Sequence, residues 1–427
     1  MPLDRRAFVQ GSLAAGMVIG SATYNKPVRA KAVSPNEKIV VGVMGLSRGK
    51  SLVNTFASSP NAIVEYVCDV DKRRIPASTS LTTKVGGNTP QEVTDFRRIL
   101  DDKKVDALVV AAPDHWHVPA TILACNAGKH VYCEKPASHN AQEGEWVIES
   151  ARKHNRTVQL GTQRRSEPSF IEAIGKLHAG AIGKILQARG TYFNPRPSIG
   201  LGKPAPVPAE LDFSLWQGPA PEREYRDNLI HYNWHWFWHW GTAELGNNGV
   251  HLIDIARWGL NVEHPTTVTC AGGRYRYQDD QETPDTTVTT FDFGGQQIVW
   301  EQRSFYRPIP ADQALHEVTF YGETGTLGVG RTKWAIYDLG GKVIEEATHE
   351  SGDLPHIENF ITSIRESKKP NADIEIGVRS TQLCHLGNMA WRTGKTLHID
   401  PKTHKPTDAD ALALWGREYR EGWKPQV

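Results

Sequence analysis

The sequence predicts an α/β protein with two unlike halves: a parallel, doubly wound sheet first, then an α+β half built on an open, mostly antiparallel sheet. Three observations carry this. From Ile39 to Gly161, short apolar runs of strand length alternate with longer helical stretches, the texture of a parallel sheet buried on both faces. Beyond Gly161 the runs change to polar-apolar alternation, the mark of strands with one covered face. At 427 residues the chain exceeds what one ordinary core holds.

In order along the chain, Ile39-Val40-Val41-Gly42-Val43-Met44-Gly45 reads as a buried strand ending in glycine. Leu46-Ser47-Arg48-Gly49 turns into a helix over about 50–58, and residues 63–69 form the next strand. Asp69 follows Gly45, the first turn glycine, by 24 positions. That spacing suits a dinucleotide-binding Rossmann fold, where amides at the helix start receive the pyrophosphate and the acid accepts from the adenosine ribose. Ser47 stands where the second glycine of the usual turn belongs, and the turn is one residue short. The alternation continues with a helix over 94–102, a strand from Val105 to the Pro113 turn, a helix over 119–127, a strand from His130, a helix over 141–154 and a strand over 157–161.

The second half opens with a helix over 166–179, followed by strands over 185–192, 266–271, 285–293, 297–303 and 316–321. Between them lies a long insertion rich in Pro, Gly and Trp, residues 194–240, and a loop of that length is functional or contact-forming. Helices follow over 355–368 and 378–392. The resulting division is an export signal over 1–32, a dinucleotide-binding domain over 37–162, a substrate domain over 163–377, and a C-terminal helix and tail over 378–427 that pack back on the first domain.

Net charge is +1, from 49 basic and 48 acidic residues, so no basic field points to nucleic acid or anionic lipid. Five cysteines lack metal-ligand spacing and imply no disulfide framework. Asp4-Arg5-Arg6-Ala7-Phe8-Val9, an apolar run too short to span a bilayer, and Ala30-Lys31-Ala32 as a cleavage candidate resemble a twin-arginine export signal. The expected location is therefore periplasmic or otherwise exported, with no membrane association after the signal is removed. An exported nicotinamide enzyme meets little free nucleotide, so the cofactor is expected to travel in tightly bound and to be recycled.

The chemistry concentrates at Val131-Tyr132-Cys133-Glu134-Lys135-Pro136, which places Lys135 at the C-terminal end of an apolar strand, where open α/β sheets act on ligands. Removing hydride from a carbinol carbon requires a base for the hydroxyl proton, and a partly desolvated lysine serves in either direction. Glu134 holds the cofactor or the lysine, and Pro136 fixes the turn with a cis bond as its candidate geometry. A second group, Asn247, His251 and Asp254, shares one face if residues 246–258 are helical. The run His231-Tyr232-Asn233-Trp234-His235-Trp236-Phe237-Trp238-His239-Trp240 is either a flat platform for a sugar or a buried anchor or subunit contact. Its histidines lack a nearby carboxylate or cysteine, and no metal is assigned.

Together these segments resemble the glucose-fructose oxidoreductase / inositol dehydrogenase / rhizopine-catabolism superfamily, Gfo/Idh/MocA. The resemblance runs through Val41 to Gly45, Cys68 to Asp71, Pro113-Asp114-His115-Trp116-His117-Val118-Pro119, Glu134-Lys135-Pro136, Gly161-Thr162-Gln163-Arg164-Arg165, the His251 segment, and Gly322 to Gly325. It implies that Lys135 and His251 surround a sugar hydroxyl or carbonyl while a nicotinamide exchanges hydride with that carbon. The carboxylate usual four residues before the histidine is Asn247 here, which can orient a hydroxyl or His251 but cannot accept a proton. Catalytic candidates are thus Lys135, His251, Asp254 and Asn247. Cofactor candidates are Gly45, Ser47, Arg48, Asp69, Pro113, Trp116, His117, Glu134, Lys135, Gln163 and Arg164, with Trp116 and His117 on the nicotinamide side and Gln163 and Arg164 at the junction with substrate. Asp69 favours NAD, while Lys72, Arg73 and Arg74 keep NADP open. The expected activity is hydride transfer at a secondary hydroxyl or ketone of a sugar or glycoside, in a homo-oligomer, dimer or tetramer. Two alternatives stay in view: a glycosidase working by transient oxidation, elimination and re-reduction, and a non-catalytic ligand-sensing relative.

Overall fold

The computed structural model describes residues 37–306 and 316–427, and the twin-arginine segment and its cleavage candidate lie outside them. The first sheet contains β1 (Ile39–Met44), β2 (Ala62–Cys68), β3 (Gln91–Val93), β4 (Ala107–Val110), β5 (His130–Cys133) and β6 (Val158–Leu160). Their order is β3-β2-β1-β4-β5-β6, every pair parallel. All of β4 and the last three residues of β5 are buried, as their unbroken apolar sequences require. The chain reverses direction across the sheet between β1 and β4, and the crevice beyond their carboxyl ends is where such sheets bind ligands.

The second sheet contains β7 (Ile185–Phe193), β8 (Thr267–Gly273), β9 (Thr286–Asp292), β10 (Gln297–Arg303), β11 (Val318–Gly322), β12 (Thr326–Val329), β13 (Lys333–Tyr337), β14 (Val343–Thr348) and β15 (Leu397–His398). Its order is β14-β13-β12-β11-β7-β10-β9-β8-β15. Only β7 and β10 pair in parallel; the other neighbours are antiparallel, so the expected fold class holds. One face packs on helices that include Pro168–His178, Val250–Leu260 and Ile374–Thr393, in a core centred on Trp300, Phe291, Phe320 and Leu252. The helix Leu354–Glu366 instead sends Ile357, Phe360 and Ile361 into the core of the first sheet, beside Val41, Val43 and Phe56.

Several elements depart from expectation. The helix placed over 119–127 starts earlier, as Asp114–Asn126, with Pro119 in its interior. Proline lacks the N–H that would bond the His115 carbonyl one turn back. Arg417 in the C-terminal tail donates to that carbonyl at 2.8 Å, so a contact 302 residues away satisfies the group that Pro119 leaves open. The helix Ile75–Gly86 and β3 are additions; the helix is rich in Ser and Thr and buries only Ile75, Ser78 and Thr82, which hides its period. The helix expected over 94–102 shrinks to Arg97–Asp101. Strands β12 to β14 were also not expected, and β14 is exposed along nearly its whole length at the sheet edge. Among the described residues, no helix is long and apolar enough to cross a membrane.

The insertion over 194–240 forms a core of its own, with Leu211, Phe213, Trp216, Leu229, Trp234, Trp236, Phe237 and Trp240 buried together. It is stitched to the first sheet at the end of β2, where Lys72 N bonds Glu210 O at 3.1 Å and Asp212 N bonds Val70 O at 2.9 Å.

Candidate active site

A cleft opens beyond the carboxyl ends of β1, β2, β4 and β5, lined by Gly45, Leu46, Ser47, Arg48, Asp69, Arg74, Pro113, Trp116, His117, Glu134, Lys135 and Asn247, with the insertion across from them. Three features fit it to a dinucleotide. Gly45 has φ +86°, and a Cβ there would lie 2.6 Å from the Ala111 carbonyl oxygen, so only glycine lets the turn pass this close to the neighbouring strand end. The helix Arg48–Ser58 begins at Ser47, whose side chain makes no capping bond, so the first-turn amides remain available to an anion. At the far end, Asp69 takes Leu46 N at 2.8 Å and Asp71 N at 2.9 Å on its two oxygens, which fixes the carboxylate at the cleft wall where a ribose would meet it. Burial pushes its carboxyl up, against the pull of those amides and Arg74.

Lys135 stands at the centre. The Lys135-Pro136 bond is cis, and Nζ donates to the Asn247 carbonyl at 2.6 Å and to Asn247 Oδ1 at 2.8 Å, joining the end of the first sheet to the second half of the chain. Burial lowers the lysine's pKa, against Glu134, Asp114 and Glu244, which favour the ammonium. Glu134 faces the junction: Arg48 Nε donates to it at 3.0 Å and Gln163 Nε2 at 3.3 Å, while Arg48 Nη2 reaches Asp353 at 2.7 Å. Gln163 also bonds the Tyr132 hydroxyl at 3.2 Å. Arg164 makes a two-pronged pair with Glu317, 2.5 and 2.8 Å, across to the second sheet. Neither Gln163 nor Arg164 lines the cleft itself. His117 lies between the Pro136 carbonyl at 2.6 Å and the Ala112 carbonyl at 2.9 Å. Trp116 donates to the Trp216 carbonyl at 3.0 Å and packs edge-on against Phe96 and Trp423, so it is more core than cofactor wall.

The His251 segment is not one regular helix. Leu245–Gly249 is a π-helical turn, a form frequent at functional sites, and Val250–Leu260 continues as α-helix. The wider turn carries Asn247 to Lys135. His251 is buried with Nδ1 lacking any protein partner. Burial, with Arg164, Lys135, Arg48 and Arg331 around it, holds its pKa well below the usual range, so the imidazole is neutral. Asp254 is a correction to the catalytic set: it is fully buried, pairs with Arg165 at 2.7 and 2.9 Å, and accepts Ser380 Oγ at 2.6 Å, away from the cleft.

The insertion supplies residues that the sequence reading did not assign. His231 bonds Asp71 at 2.7 Å, and Tyr232, Trp234 and His235 line the cleft. Although burial pushes the Asp71 carboxyl up, the hydrogen bonds from Arg73 and His231 prevail and hold it well below the usual range. Arg73 is thereby committed to Asp71, and Arg74 lies 3.6 Å from Asp69. Most of the Trp/His run is an anchor: Trp236 and Trp240 are buried, and His239 bonds the Pro221 carbonyl at 2.7 Å. The density of rings over 231–240 signalled the segment but not which of its side chains reach the cleft.

Fold and cleft define an α/β protein of two sheets with a dinucleotide-type cleft at a topological switch point of the first. Residues 38–162 match the NAD-binding Rossmann fold of an oxidoreductase family and residues 199–425 match its C-terminal alpha/beta domain; the chain belongs to the Gfo/Idh/MocA oxidoreductase family. It is 29% identical over 213 residues to a glycosyl hydrolase family 109 protein of Saccharopolyspora erythraea, covering 45% of this chain and 46% of that one. It is 28% identical over 155 residues to inositol 2-dehydrogenase of Salmonella typhimurium, covering 36% and 44%. The chain thus aligns with under half the length of these curated relatives. Levoglucosan dehydrogenase, solved with NADH and levoglucosan, shares the fold with a TM-score of 0.65 at 17% identity, over 84% of this chain and 99% of that one.

Proposed function

We propose that the protein is an NAD-dependent oxidoreductase that moves hydride between its cofactor and a secondary hydroxyl or ketone carbon of a sugar or glycoside. The observation that carries this reading is Lys135 Nζ, held by Asn247 at the mouth of the dinucleotide cleft, with neutral His251 one turn beyond. A bound nicotinamide supplies the hydride acceptor or donor. Lys135 takes the hydroxyl proton in oxidation and returns it to the carbonyl oxygen in reduction. His251 stands as a second candidate group for the proton; its Nδ1 is buried without a partner behind the cleft, whose lining does not include it. Asp69 favours NAD over NADP, a preference supported by Arg73 and Arg74 already facing carboxylates. The inositol dehydrogenase relative supports a polyol or sugar substrate.

Tight retention of the cofactor is part of the proposal, supported by the insertion that crosses the adenosine end through His231 and Asp71. Export by the twin-arginine route and assembly into a homo-oligomer belong to the same reading; replacing Arg5 and Arg6 by lysine should leave the precursor in the cytoplasm, and light scattering should report a dimer or tetramer. The relative named as a glycosyl hydrolase favours a second reading, in which oxidation is transient and a glycosidic bond leaves by elimination before re-reduction.

One experiment decides between them. Nucleotide released from the denatured protein is identified by absorbance and mass, and the native protein is then offered a set of sugars and glycosides. NAD with a ketone product supports the oxidoreductase, and NAD with net hydrolysis and no change in nucleotide redox state supports the second reading. Release of NADP overturns the Asp69 assignment, and an empty site with fast, weak exchange overturns retention.

A further inference from the structure

Asn247 stands where a carboxylate is usual, yet the structure keeps a carboxylate close behind it. Glu244 is fully buried and accepts Asn247 Nδ2 at 3.3 Å; Asn248 Nδ2 donates to the same oxygen. Its counter-ion comes from the insertion: Arg196 donates through Nε at 2.9 Å and Nη2 at 3.1 Å, and its guanidinium lies 5.2 Å from the Trp236 ring. A third Arg196 bond, Nη1 to the Tyr232 hydroxyl at 2.5 Å, reaches the cleft wall. The chain of contacts therefore runs Arg196, Glu244, Asn247, Lys135.

The chemistry of these groups leaves one orientation for the amide. A carboxylate only accepts and an ammonium only donates, so an amide between them must point Nδ2 at Glu244 and Oδ1 at Lys135. The flipped amide would face donor to donor and acceptor to acceptor. We propose that Glu244 is a positioning residue for Lys135: through the Asn247 amide it aims Oδ1 at Nζ, with Arg196 holding the carboxylate in place. Two of the three free corners of the Lys135 nitrogen are then taken by Asn247, and the third, an N–H in the ammonium and a lone pair in the neutral amine, is left for the substrate oxygen. The inference rests on the role given to Lys135 in hydride transfer. Glu134 beside it, Asp114 at the start of its helix and Glu244 across the cleft favour the charged lysine, burial and Arg48 oppose it, and neutral His251 and His235 complete its surroundings.

The test reads the lysine without any substrate. The full chain is pulse-labelled with acetic anhydride over a pH series, and mass spectrometry follows acetylation of the peptide carrying Lys135. In Glu244→Gln the labelling midpoint should fall by about one pH unit, and Glu244→Asp, which keeps the charge, should recover most of the shift. With a substrate from the screen, kcat of Glu244→Gln should fall ~10-fold with KM little changed. If Glu244→Gln does not fold, Asn247→Leu removes the Oδ1 acceptor and should lower the midpoint in the same direction. An unchanged midpoint in whichever of these variants folds overturns the inference. A shifted midpoint together with full turnover in Lys135→Ala would leave the inference standing and sink the catalytic role of Lys135 alone.

Discussion

The two walls of the cleft are built on different principles. On one side, β1, β4 and β5 are parallel, buried and hydrogen-bonded in register, and their ends present Gly45, Pro113 and Lys135 in a row. On the other, residues 194–240 contain little regular structure beyond the short helix Phe213–Gln217 and a 3-10 turn at Asn233–Trp236, and they hold their shape through packed rings and polar ties such as His231 to Asp71. A wall made of strands owes its geometry to the backbone and, Gly45 apart, depends little on any one side chain. A wall made of side chains is only as firm as each contact. On the proposed function, chemistry falls to the first wall, and cofactor retention and substrate fit to the second.

The largest expected effect lies on the strand wall. Lys135→Ala should reduce hydride exchange ~10²–10⁴-fold while nucleotide remains bound, because the proposed function gives the lysine the proton and not the pyrophosphate. Near-normal turnover, measured by steady-state kinetics, would remove it from the mechanism. On the insertion wall, Trp236→Ala empties a buried site and should cost about 3–5 kcal/mol in thermal or denaturant unfolding. A loss below ~1 kcal/mol would show that the insertion is not a packed unit.

Acid should act on helices packed away from the cleft lining as well as on the insertion. Burial pushes His356 and His385 down to about 4 and His235 in the insertion to about 3, whereas the unfolded chain titrates its histidines near 6.5. Below ~6.5 the unfolded state binds protons that the folded state refuses, so stability falls with pH until the folded pKa values are reached. Each such histidine adds a slope of up to ~1.4 kcal/mol per pH unit. Urea midpoints measured from pH 7 to 5 should therefore decline; a flat profile would mean that these imidazoles are not buried neutral.

Smaller effects separate retention from chemistry. His231→Ala removes one charge-assisted hydrogen bond from a partly exposed site and should speed nucleotide dissociation ~10-fold with kcat unchanged. A loss of kcat with retention intact would reverse the division between the walls. Asp69→Ser should relax discrimination against NADP by several-fold, read by calorimetry with both nucleotides; equal affinities before and after would detach Asp69 from the ribose.

Much of the strand wall was legible because its signals are local. An apolar run of strand length, a glycine that must take positive φ, and an acid at the next strand end are fixed by neighbours in sequence, so Gly45, Asp69 and Lys135 could be placed without a structure. The helix over Asp114–Asn126 starts earlier than expected because Pro119 reads as a beginning, and the bond by which Arg417 satisfies the His115 carbonyl comes from the other end of the chain. Asp254 was misassigned for a related reason. Spacing put it on the His251 face, but spacing assumed an unbroken α-helix and carried no information about Arg165 and Ser380, which claim its oxygens.

What the sequence by itself determined was the class of fold and the strand-end residues, since period, turn chemistry and burial follow from residues close together in the chain. Only the tertiary structure decided that Asn247 meets Lys135 through a π-helical turn, that Glu244 and Arg196 stand behind them, and that His231 closes on Asp71. The pairs Asn247–Lys135, Arg196–Glu244 and His231–Asp71 join side chains 48 or more residues apart, and their pairing depends on how separate elements pack and leaves no periodic trace in either segment.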